Sequence, residues 1–137
     1  MSRSCCPGGS SLSDITCACG TKDLLLLACS GGSNVGQIAN DAAKALEGYG
    51  QGSMYCAVGV GAQLPNFVNG VREKPCVAID GYPVACVRKS LEKVGVKPAV
   101  HIVVTELGIK KHGEFDHTND DIAKVVGAVA DALAKTP

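Results

Sequence analysis

Leu24-Leu25-Leu26-Leu27-Ala28-Cys29-Ser30-Gly31-Gly32-Ser33-Asn34-Val35-Gly36-Gln37-Ile38-Ala39-Asn40 is the stretch on which the fold turns. A short continuous apolar run, here Asp23 to Cys29, is how a strand buried on both faces reads. Ser30-Gly31-Gly32 breaks it, and Ser33 or Asn34 can then cap a helix whose Val35, Ile38, Ala39, Ala42 and Leu46 fall on one face, with Gly48 to end it. Strand, glycine turn and helix in that order are the first half of a parallel crossover.

The same alternation continues outward. Met54 to Val60 reads as a second strand. Leu64 to Lys74 is weakly helical and interrupted by Pro65 and Gly70, so it reads as a turn of helix and loop. Cys76 to Asp80 is a third strand, Pro83 suits the first position of a helix, and Val84, Val87, Leu91 and Val94 form that helix's buried stripe up to Gly95. Val100 to Thr105 is a fourth strand. A polar loop, Gly108 to Asp116, leads to a last helix with Thr118 and Asp121 at capping-box spacing and Ile122, Val125, Val126, Val129 and Leu133 at helical intervals. The fold expected is a three-layer α/β/α sandwich around a four-stranded, mainly parallel sheet in the flavodoxin-like order 2-1-3-4. The 137 residues make a single domain, with 1–22 a segment rich in Cys, Gly and Ser and 23–137 the α/β core.

Composition narrows the function. Thirteen basic residues balance thirteen acidic ones, so no broad positive field attracts nucleic acid or an anionic membrane. Aromatics are 4% of the chain and Trp is absent, which removes the stacking platforms of single-strand binders. The run Leu24 to Cys29 looks like a lipoprotein cleavage box but is too short for a signal core and follows Asp23, so the chain is expected to be soluble and cytoplasmic. A domain of this size needs no disulfides to fold, and in a reducing compartment its eight cysteines read as ligands or redox groups.

Ligands on open parallel sheets bind beyond the carboxyl ends of the strands, where crossovers diverge. That crevice lies between the first and third strands, and Cys29, the Ser30 to Gly36 loop and the Asp80 to Cys86 turn emerge there. Cys29 precedes a helix N-terminus, whose free amides and dipole favour an anion such as a thiolate. Cys86 sits about 120° from the Val84/Val87 stripe on the 3.6-residue period, away from the core. Cys56 falls early in the second strand, which favours core packing and ranks it lower as a ligand, and Cys76 at the opposite edge reads as structural. Cys5, Cys6, Cys17 and Cys19 sit in a segment with little apolar surface, where paired thiols can hold zinc, copper(I) or an iron-sulfur cluster, or serve redox chemistry. His101 reads as a satisfied core or interface histidine, and His112 and His117 as loop residues, with His112 a weaker ligand candidate.

Enzyme signatures are missing. Gln37 and Ile38 replace the Lys and Ser/Thr of a phosphate-binding loop, Gly59-Val60-Gly61 lacks the third glycine of a dinucleotide turn, and Val35 stands where a phosphatase loop after Cys29 needs Arg. The reading leans away from turnover and towards binding.

Three segments together, Ala28 to Asn40, Cys56-Ala57-Val58-Gly59-Val60-Gly61-Ala62 and Ala78-Ile79-Asp80-Gly81-Tyr82-Pro83-Val84-Ala85-Cys86, resemble the DGC-domain family of small bacterial proteins thought to bind zinc. Thr105 to Lys111 is similar too, and the resemblance covers nearly the whole chain from about Lys22. It implies zinc chelation by four cysteines, three of which correspond to Cys29, Cys56 and Cys86. Tyr82 stands at the fourth, and a phenol is a poor zinc ligand beside thiolates. A replacement ligand from Cys5, Cys6, Cys17 or Cys19, or from His112, would then be needed.

The leading expectation is therefore a metal-binding protein, zinc first. The alternatives are a thiol redox enzyme with Cys29 as nucleophile and a resolving cysteine from the amino-terminal segment, or a carrier of an iron-sulfur cluster or a thiophilic species such as arsenite. An apolar sheet edge is compatible with a homo-oligomer, and a protein partner is left open.

Overall fold

The computed structural model describes residues 23–136. Its four strands, β1 (Leu25–Ala28), β2 (Ser53–Met54), β3 (Cys76–Asp80) and β4 (Val100–Val103), form one all-parallel sheet in the order β2-β1-β3-β4. β1 and β3 are central, with Leu25 opposite Cys76 and Ala28 opposite Ile79. Five helices connect and cover them: α1 (Asn34–Gly48), α2 (Ala57–Gly61), α3 (Pro65–Glu73), α4 (Cys86–Lys93) and α5 (Asn119–Lys135).

Strand alternation divides the core into two layers. Leu26, Val77 and Ile79 pack towards α1 and α5 with Ile38, Leu46 and Val125. Leu25, Leu27 and Ala78 pack the other way, against Val60, Val71 and Leu91 of α2, α3 and α4. The four-leucine run is continuous because both faces of β1 are covered, the condition for a parallel central strand. Among the described residues no helix is long and apolar enough to cross a membrane.

Two caps agree with the sequence: the Ser33 hydroxyl accepts from the Gly36 amide, and Thr118 and Asp121 form a reciprocal capping box. Four element boundaries differ. The run Met54 to Val60 is not one strand: β2 stops at Met54, and Ala57–Gly61 is helical, because a short apolar run carries no period that separates strand from helix. Pro65 occupies the first turn of a true helix rather than breaking one, and Gly70 lies inside it where the Tyr55 ring approaches too closely for a side chain. Pro83 does not open α4. Tyr82–Ala85 makes a turn instead, closed by the Ala85 amide on the Tyr82 carbonyl, the helix starts at Cys86, and Val84 is exposed rather than part of the buried stripe. β4 ends at Val103, with Val104–Leu107 a 3-10 turn.

Candidate functional site: a cysteine pair at the carboxyl edge

Cys29 is the first residue beyond β1. Its backbone amide still bonds to the Ile79 carbonyl, so the cysteine is held in line with the sheet while the chain leaves it. The loop that follows folds back, and the Gly31 amide donates to Cys29 Sγ at 3.3 Å. Gln37 from the first turn of α1 donates to the carbonyls of Ser30 and Gly31, and Gly36 lies so close that an added Cβ would stand 2.7 Å from the Gly31 oxygen. A glycine is required there by the close approach of helix and loop.

Cys86 reaches the same place from β3. Asp80, 1% exposed, ends that strand with its carboxylate inside the protein. Its Oδ1 accepts from the Val87 amide at 2.8 Å and its Oδ2 from the Arg88 amide at 3.2 Å, satisfying donors that the first turn of α4 leaves free. His101 Nε2 lies 2.8 Å from the same Oδ2, and a carboxylate acceptor places the ring proton on that nitrogen. Ala85, the residue before α4, has φ 51° and ψ 50° and no capping side chain, so Asp80 caps the helix from across the turn. The intervening Gly81 passes against Val35 and the Gly36 amide, where a Cβ would meet atoms at 3.1 Å. Asp80 and Gly81 thus fix where Cys86 begins its helix.

Cys29 and Cys86 both line one cavity of about 390 Å³, walled chiefly by Ala28, Ala57, Val58 and Val87. Burial, then the neighbouring Cys29 and the Asp80 carboxylate, push the Cys86 thiol up from its ordinary range. Helix α2, which the sequence reading had as strand, supplies one wall.

Cys56 is exposed, not packed in the core as its supposed strand position suggested. It precedes α2 and caps it, its sulfur accepting from the Gly59 amide at 3.3 Å. This places it just beyond β2, at the same carboxyl edge as Cys29. Cys76 lies at the other end of the sheet, 1% exposed, with its thiol donating to the carbonyls of Lys74 and Val71. His112 lines a different, polar cavity of about 350 Å³ with Asn34, Lys110, His117 and Lys124. Tyr82 packs on the α1 side of the core with Lys111 Nζ 4.8 Å above its ring. Cys5, Cys6, Cys17 and Cys19 lie outside the described residues. Among the described residues no group of three His, Cys, Asp or Glu side chains is gathered as a metal would need.

Sequence reasoning passed over two residues that shape this edge. Asp80 was noted only as a member of the turn, yet it holds α4. Asn34 was weighed only as an alternative cap; its side chain donates to the Lys110 carbonyl and accepts from the His112 amide, both at 2.7 Å, tying the β4 exit loop to the β1 exit loop. A buried Asn beside a glycine turn was the signal available.

The DGC domain family model matches residues 25–129, which include every element of this edge. The chain belongs to the DGC-domain family. A relative, the anaerobic and virulence modulator AnvM of Pseudomonas aeruginosa, is 42% identical over 98 residues, covering 70% of this chain and 75% of AnvM. No solved structure matches. In this member of the DGC family the Asp-Gly pair of the third segment has a structural meaning: Asp80 caps α4, and Gly81 lets the β3 exit pass under α1.

Proposed function

We propose that this chain binds a soft metal ion, zinc in the first place, through the thiolates of Cys29 and Cys86, and that it serves binding or delivery rather than turnover. The observation that carries the reading is the convergence of these two sulfurs on one cavity at the carboxyl edge of the sheet. Thiolates suit zinc, copper(I) and iron-sulfur clusters. Closed zinc sites use four protein ligands, and open ones three with water. Cys29 and Cys86 supply two, Cys56 at the same edge is the third candidate, and Cys5, Cys6, Cys17 and Cys19 are the remaining thiols of the sequence. The fit is therefore to a thiolate site built around a pair, not to a ready four-cysteine cage.

Elemental analysis of the full chain purified without added metal tests this. Stoichiometric soft metal is expected, lost in a Cys29→Ala/Cys86→Ala double variant; trace metal, or content unchanged in that variant, overturns it. A Cys5/Cys6/Cys17/Cys19→Ser variant reports separately on the amino-terminal thiols, and visible absorbance of anaerobically purified protein separates an iron-sulfur cluster from colourless zinc. Each thiol must lose its proton to coordinate, and the raised Cys86 thiol holds its proton more tightly than usual. Ion affinity is therefore expected to fall steadily as pH is lowered from about 8 to about 6, measured by competition with a chromophoric chelator.

A further inference from the structure

We propose that Cys29 and Cys86 form a two-electron dithiol/disulfide couple, oxidised by a small peroxide or a low-molecular-weight disulfide that enters the cavity they share. Both residues line that cavity, Cys29 from the end of β1 and Cys86 from the start of α4. Joining them removes two hydrogens and draws the sulfurs to about 2.05 Å. Cys29 stands at the end of β1, its amide still bonded to the Ile79 carbonyl, and Cys86 is the first residue of α4, preceded by a turn rather than by helix.

The other described cysteines are placed differently. Cys76 is enclosed at the opposite end of the sheet, and the Cys56 sulfur caps α2. Roles within the pair follow from their contacts. The Gly31 amide donates to Cys29 Sγ and holds it in place, which suits the attacking sulfur. Cys86, exposed beside it, is placed to resolve what forms.

With a peroxide, the Cys29 sulfur attacks one oxygen, the O–O bond breaks, and the departing oxygen takes up a proton and leaves as water or alcohol. Cys29 is then a sulfenic acid. The Cys86 sulfur attacks the Cys29 sulfur, the S–O bond breaks, and water carries away the Cys86 proton as the S–S bond forms. With a disulfide, Cys29 forms a mixed disulfide and releases one thiol, and Cys86 displaces the second. An external dithiol reduces the Cys29–Cys86 disulfide by thiol–disulfide exchange, is itself oxidised to a disulfide, and restores both thiols. The couple needs no metal, but its oxidised form has no free thiolate at either position, so a disulfide here empties the proposed ion site.

The test uses the full chain, reduced, stripped with a chelator, then exposed to hydrogen peroxide or to glutathione disulfide and blocked with N-ethylmaleimide for peptide mapping. The expected product is a Cys29–Cys86 cross-link, reversed by dithiothreitol and formed in equal yield in Cys56→Ser and in the Cys5/Cys6/Cys17/Cys19→Ser variant. In Cys86→Ser, Cys29 should instead be trapped as a sulfenic acid or a mixed glutathione disulfide. Cys29 cross-linked only to an amino-terminal cysteine, or Cys29 and Cys86 both recovered alkylated while Cys56 is oxidised, overturns the proposal. Metal content of the reduced, unstripped sample is read in parallel. A cross-link without stoichiometric ion counts against the metal reading alone, and ion without a cross-link counts against the couple alone.

Discussion

Cys76 and Cys29 sit at opposite ends of neighbouring central strands, and their surroundings differ more than their sequence contexts suggest. Cys76 enters β3 at the amino edge, where its thiol is covered by α3 and the Lys74 carbonyl, and burial pushes it up from 9.0 to about 11. Cys29 leaves β1 at the carboxyl edge, where the chain turns into a helix N-terminus and the Gly31 amide faces the sulfur. A parallel sheet directs helix N-termini to its carboxyl edge, so one edge offers donors to a sulfur and the other offers carbonyls. The same side chain is packing at one end and chemistry at the other.

The comparison is most severely tested by removing what organises the reactive edge. Asp80→Ala leaves the Val87 and Arg88 amides and His101 without their acceptor, and is expected to cost about 2–4 kcal/mol, read as a lower urea midpoint. Cys86 should then lose its place beside Cys29 in the shared cavity, seen as faster alkylation of Cys86, while Cys76 stays protected in whatever fraction remains folded. Equal exposure of all three cysteines would mean that the two edges unfold together and are not separable in this way.

A second experiment sharpens the other half of the contrast. On brief treatment of the reduced, metal-stripped chain with iodoacetamide at pH 8, mass mapping should find Cys29, Cys56 and Cys86 modified and Cys76 intact. The raised Cys76 thiol also gives a sign for stability. The unfolded thiol ionises near 9.0 and the folded one near 11, so its contribution is complete below pH 9 and is lost as pH climbs towards 11. Over that interval the urea midpoint of the native chain should fall more steeply than that of Cys76→Ala. Parallel slopes would show that Cys76 ionises as freely as an exposed thiol.

The smallest effect belongs to the turn between β3 and α4. Ala85 holds a left-handed backbone that glycine adopts without steric cost. Ala85→Gly relieves that strain but adds freedom to the unfolded chain, and the net gain expected is about 0.5 kcal/mol. A clear loss of stability would indicate that the Ala85 methyl, which is buried, contributes more by packing than its backbone costs.

The sheet order and the crevice between β1 and β3 were legible because apolar runs, glycine turns and helical stripes follow one another in a fixed sequence. Cys29 and Cys86 could be placed there for the same reason. Cys56 could not, since Tyr55 to Gly61 carries no period to distinguish strand from helix, and a cysteine is not among the usual capping residues. The start of α4 was misplaced because its cap comes from Asp80, six residues before Cys86, instead of from a neighbouring Ser, Thr or Asn. Local rules locate local caps; a cap supplied by the end of a strand becomes visible only when the strand and the helix are seen together.

Asn34 has a consequence for the order of events at the ribosome. Its side chain grips residues 76 and 78 positions later in the chain, Lys110 and His112. While the protein is being made, the segment carrying Cys29 emerges long before that clasp exists. The thiol therefore meets the cell's oxidants and metal pool first on a loop without its final brace, and acquires that support only once most of the polypeptide has been synthesised.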